Sequence, residues 1–154
     1  MIKVQELEEI KTIPQDELKQ IKQNYQRGKY SSLSKSLKLF IRKNARKILV
    51  FKGEFEEEQK TKLTLEEAVR FFILDRKIID LQSDIKEQLK EMDKELWYRG
   101  EKQENPNRDQ TYMQWIKQYG AAWRIHRTRE IVYVFNQSPK EYLGQPIPNR
   151  DSMF

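Results

Sequence analysis

From Phe71 onward the apolar positions Leu74, Ile78, Leu81, Ile85, Leu89, Met92 and Leu96 recur three or four residues apart, a coiled-coil-like seam with one hendecad-like step. Just before it, Thr64 and Glu67 fit the Ser/Thr-x-x-Glu capping box that starts a helix. The pattern predicts one helix from 64 to about 100, roughly 36 residues and about 54 Å long. Asn105, Pro106 and Asn107 then read as a turn, with Asp109 placed to cap the next helix. Residues 110–137 carry Tyr112, Ile116, Tyr119, Trp123 and Val134 near one face, so this segment is expected to fold back along its predecessor. Tyr119 and Trp123 are expected to be packing residues of that face.

The first half of the chain is patterned in shorter pieces. Residues 1–26 read as one helix or two short ones, interrupted at Pro14, with Asp16 and Glu17 in a first turn and Leu18, Ile21 and Tyr25 on one face. Gly28 ends this element. Ser31 or Ser32 can cap a helix running to about Val50, with Leu33, Leu37, Phe40, Ile41 and Ile48 as its apolar stripe. The runs at 48–51 and 131–135 are rich in β-branched and aromatic residues, so a small ribbon between them is the alternative to helix. Glu54, Glu56, Glu57 and Glu58 read as a solvated connection, and the tail from 138 to 154 as extended or disordered.

Together these elements predict an all-α chain. A helical bundle is expected around the antiparallel hairpin 64–100 and 110–137, with a basic amphipathic N-terminal helix at 31–50 packed on it. Residues 1–137 are expected to form one domain, followed by the tail at 138–154. Composition agrees: only five Gly and five Pro occur in 154 residues, too few for the tight turns of a sandwich or barrel. Hydrophobic residues make up 37% and charged ones 35%, which leaves little apolar material beyond the inner faces of the helices. There is no cysteine, so disulfide frameworks, thiolate metal sites and cysteine nucleophiles are excluded. No window approaches the roughly 18 consecutive apolar residues of a membrane span, and the first residues show no leader-like apolar stretch. A cytoplasmic protein that does not enter a membrane is expected.

Charge sharpens the picture. Between residues 27 and 52 there are nine basic residues and no acid, so the remainder of this +6 chain is net −3. At about 100° per residue, Lys35, Lys38, Arg42, Lys43, Arg46 and Lys47 all fall between roughly 140° and 320° from Leu33, on the half of the helix opposite its apolar stripe. Such a stripe is the electrostatic footprint of phosphate-backbone contact. Arg124 and Arg129, off the predicted packing face of 110–137, are candidates to extend the basic surface.

Catalytic chemistry finds little to stand on. His126 is the only histidine, and Glu130 one turn later gives it a single carboxylate neighbour, with Arg127 competing for the same group. Asp80, Asp84, Glu87 and Glu91 follow one helical face, but a di-iron bundle needs two Glu-x-x-His motifs, and Lys77, Lys90 and Lys94 point to surface ion pairs instead. No Gly-rich phosphate loop, nucleophile elbow or metalloprotease His pair is present. The chain is therefore expected to be no enzyme and to need no cofactor or metal.

In size, helicity and charge the chain resembles the small helical accessory subunits of nucleoprotein assemblies, those of CRISPR effector complexes among them. That resemblance implies a non-catalytic module contacting RNA or single-stranded DNA within a larger assembly. The competing expectation is an adaptor or regulatory scaffold that pairs through the seam, as a homodimer or with another chain, and meets an acidic protein surface through its basic arc.

Overall fold

The computed structural model describes residues 13–102 and 105–143. Among these every regular element is helical: α1 Gln15–Gln26, α2 Ser31–Lys43, α3 Ala45–Gln59, α4 Leu65–Arg76, α5 Leu81–Glu101, α6 Arg108–Gln137 and α7 Pro139–Leu143. The β-prone runs at 48–51 and 131–135 are helical, and no strand occurs among the described residues. The chain divides into two compact units, one built from the segment up to residue 79 and that from 128 onward, the other from 80–127.

The first unit owns the main core. Helix α4 buries Ala68, Val69, Phe72, Ile73 and Leu74, most of its circumference, as expected of a helix surrounded by others. Leu33, Leu37 and Ile41 of α2 join this cluster, as do Ile48, Phe51 and Phe55 of α3 and Ile131, Val132, Val134 and Phe135 of α6. Phe72 anchors the ring contacts, edge-on to Phe51 at 5.6 Å between centroids and tilted against Phe40 at 5.7 Å. Polar ties fix the helices around it: the Tyr30 hydroxyl donates to Glu130 Oε2 at 2.7 Å, and Arg70 Nε donates to Asn136 Oδ1 at 2.9 Å.

The second unit comprises α5 and the first twenty residues of α6. Asp84 bonds Arg124 and Arg127, and Asp93 bonds Tyr112, so rising positions on α5 meet falling positions on α6 and the two run antiparallel. Of its large apolar side chains only Met92 and Trp115 are buried, beside the polar Asp84, Thr111 and Arg127. Trp123 is half-buried and Tyr119 is exposed, so Trp115 holds the packing position expected of that pair.

The capping box at Thr64 is present with both of its bonds, but several expected boundaries move. The helix expected at 31–50 is two helices meeting at Asn44, whose side-chain amide donates to the Phe40 carbonyl at 2.8 Å and competes with regular helix bonding there. Ser31 is already inside α2, whose cap position is Tyr30. Residues 54–58 are not a solvated connection: Phe55 is buried one turn after Phe51, and Lys52 pairs with Glu56 at 3.2 Å, so α3 continues to Gln59. The long helix expected from 64 to 100 is broken, because Lys77 turns left-handed (φ 66°) to end α4 and Asp80 caps α5 by accepting from the Ser83 N–H. Asn107, not Asp109, supplies the capping oxygen of α6, accepting from the Gln110 N–H at 3.0 Å. The tail expected to be extended from 138 forms α7 at 139–143 with Tyr142 buried. The first helical turns expected within 1–12 and the tail beyond 143 lie outside the described residues.

Candidate polyanion-binding face

Helices α2 and α3 share one inner stripe across the Asn44 break: Leu33, Leu37 and Ile41 continue into Ile48, Phe51 and Phe55 at helical spacing. Burying that stripe against α4 leaves the opposite side outward. Lys35, Arg42, Lys43, Arg46 and Lys47 are exposed there. From Lys35 to Lys43 along α2 the helical rise is about 12 Å, roughly three to four phosphate steps of a nucleic-acid strand. Arg27 and Lys29, just before α2, are exposed as well.

The break concentrates charge. Arg42 and Lys43 occupy the last turn of α2, where cations complement the negative end of the helix dipole. Arg46 and Lys47 occupy the first turn of α3, which holds no acid although the dipole favours one there. Four cations thus flank Asn44 within six residues.

The structure treats the other three candidates differently. Lys38 is half-buried and its Nζ donates to Glu141 at 2.7 Å, a bond that raises its pKa above the ordinary value. Arg129 pairs with Glu17 of α1 and is half-buried. Arg124 belongs to the second unit, where it pairs with Asp84 and stacks over Trp123 at 5.1 Å. Sequence reasoning missed Leu39, Leu49 and Val50, exposed at 53%, 43% and 59% beside the cations. Their signal was their place in the helical wheel, outside the inner stripe.

Elsewhere the side chains are committed to structure. Arg127 donates to Asp84 and Ser83, and Glu130 accepts from Tyr30. Glu87 and Glu91 pair with Lys90 and Lys94 as surface ion pairs. No group of three or more His, Asp or Glu among the described residues is placed to hold a metal ion. An open hollow of about 430 Å³ beside the end of α3 is lined by Gly53, Glu56, Glu57 and Lys60 to Lys62. Its Glu56 is engaged with the Leu63 N–H and Lys52. No helix among the described residues is long and apolar enough to cross a membrane.

No protein-family model matches the chain, and neither does any curated protein or solved structure.

Proposed function

We propose that this chain is a non-catalytic nucleic-acid-binding helical module, a small accessory subunit of a cytoplasmic nucleoprotein assembly. It holds RNA or single-stranded DNA by its phosphate backbone, with little regard to sequence, on the outer face of α2 and α3. The observation that carries this reading is the placement of Lys35, Arg42, Lys43, Arg46 and Lys47, all exposed and with no acid among them, opposite a buried stripe. Lys38, Arg124 and Arg129 are left out, since each is half-buried rather than exposed.

Five phosphate contacts make affinity fall with salt at a log–log slope of roughly −4. Fluorescence anisotropy with labelled single-stranded RNA, single-stranded DNA and duplex DNA at several salt concentrations measures it. Changing Arg42, Lys43, Arg46 and Lys47 to Glu is expected to abolish binding while leaving the far-ultraviolet circular dichroism unchanged. Unaltered affinity in that variant overturns the reading.

Leu39, Leu49 and Val50 favour a second reading, an adaptor whose basic arc meets an acidic protein. A phosphate backbone makes no use of exposed aliphatic side chains, whereas an acidic amphipathic helix covers them and pairs with the cations between. Absence of binding to all three probes at low salt selects this reading.

A further inference from the structure

One cation of the basic segment is already met by a carboxylate of the chain itself. Lys38 stands three residues after Lys35 and four before Arg42, the two spacings that make neighbours on a helix surface. It therefore belongs to the same row of charge, at the border between the outer face and the inner stripe. Helix α7 meets α2 along that border: Glu141 Oε1 stands 2.7 Å from Lys38 Nζ, and one turn earlier Ser34 Oγ shares a 2.8 Å hydrogen bond with the Tyr142 hydroxyl. The two contacts differ in kind. The Tyr142 ring is buried, its centroid 5.8 Å from that of Phe135, and pins α7 to the core. The Lys38–Glu141 pair is open to water, with side-chain exposures of 32% and 50%, and such a pair is weak. A phosphate held by Lys35 or Arg42 comes within one helical turn of the same ammonium and competes with Glu141 for it.

We propose that α7 is an autoinhibitory strap on the polyanion-binding face, whose Glu141 withholds Lys38 from phosphate until a bound strand displaces the carboxylate. This inference rests on the nucleic-acid reading of α2 and α3 and gives that site its regulation. The ion pair and a phosphate on Lys38 exclude each other, so each weakens the other by the same factor. Helix α7 suits the part because its five residues are too few to form a helix alone, and its order depends on docking. Tyr142 keeps it attached when Glu141 lets go, so the strap loosens without opening the core.

Fluorescence anisotropy of the full chain with a labelled single-stranded RNA tests it. Glu141→Gln, at an exposed position, removes the carboxylate charge and leaves Tyr142 in place. It is expected to tighten binding about fivefold at about 0.1 M salt and to steepen the log–log salt slope by about 0.7, the mark of one more phosphate contact. Adding Lys38→Gln to Glu141→Gln is expected to cancel both changes. A gain that survives in the double variant overturns the proposal, because the loss of a negative charge anywhere near the face then accounts for it. Unchanged affinity and slope in Glu141→Gln overturn it as well, while binding by the parent leaves the nucleic-acid reading standing. Absence of binding by both the parent and Glu141→Gln overturns the two together.

Discussion

The ammonium of Lys38 lies 2.7 Å from Oε1 of Glu141, so a cation of the basic segment is the clasp that holds α7. The same ammonium sits 5.9 Å from the centroid of the Tyr142 ring, and the Tyr142 hydroxyl shares a 2.8 Å hydrogen bond with Ser34 Oγ. Helix α7 has only five residues, too few to be stable in isolation. Its order comes from this docking onto α2.

The first prediction is alkaline release of α7. The bond to Glu141 raises the pKa of Lys38, and burial raises that of Tyr142 against the opposing effect of the Ser34 bond. Both folded values lie above the ordinary ones, so their stabilisation is complete below about pH 10 and is lost as pH rises through the folded values. An absorbance titration of tyrosinate is expected to show Tyr142 and the half-buried Tyr133 ionising late, with one fewer late-ionising tyrosine in Tyr142→Phe. A tyrosinate titration unchanged by Tyr142→Phe at its late end contradicts the docked arrangement.

The second concerns Asp84. This carboxylate is 1% exposed and accepts from Arg127, itself 8% exposed, as well as from Arg124. Asp84→Ala leaves a buried guanidinium without its counter-charge and is expected to cost about 3–5 kcal/mol in urea unfolding. The double variant Asp84→Leu with Arg127→Met replaces the pair by apolar volume and is expected to recover most of that loss. A cost below about 1 kcal/mol for Asp84→Ala places the network in water.

These cases show what was legible in the sequence. The cations of α2 and α3 could be read because they lie in one local segment with a regular inner stripe. Arg124 and Arg129 could not, because their partners Asp84 and Glu17 stand 40 and 112 residues away. The capping box at Thr64 is a local signal and survived intact. The break at 77–80 was hidden because Leu74, Ile78 and Leu81 keep helical spacing straight through it, and the left-handed residue there is a lysine rather than a glycine. Periodicity likewise could not show that α5 buries Asp84 while Leu81, Ile85 and Leu89 stay exposed. That choice depends on where Arg124 and Arg127 stand on α6.

The third prediction follows from the left-handed lysines. Lys60 (φ 52°) and Lys77 (φ 66°) end α3 and α4 in a region where a side chain bearing Cβ is strained. Lys77→Gly is expected to raise stability by about 1 kcal/mol and Lys60→Gly by a similar amount. The two sites end different helices, so their effects should add in urea unfolding. A loss of stability at either site refutes the strain argument there.

The fourth concerns the α3–α4 connection in acid. Glu56 Oε2 accepts the Leu63 N–H at 2.8 Å and Lys52 Nζ at 3.2 Å, closing the turn that carries the chain from Gln59 to the capping box. The bond from Leu63, and then that from Lys52, hold its carboxyl below the usual carboxylate range. With the folded value depressed, the stabilisation is complete above about pH 4.5 and is lost as pH falls through the folded value. Glu56→Gln keeps an acceptor for Leu63 but gives up the charge, so it is expected to be less stable than the parent near neutral pH. Because the parent alone binds this extra proton on acidification, the gap closes as pH falls. Urea midpoints measured at about pH 7, pH 5 and pH 3 follow it, and a gap that stays constant across that range rules out Glu56 as the acid-sensitive tie.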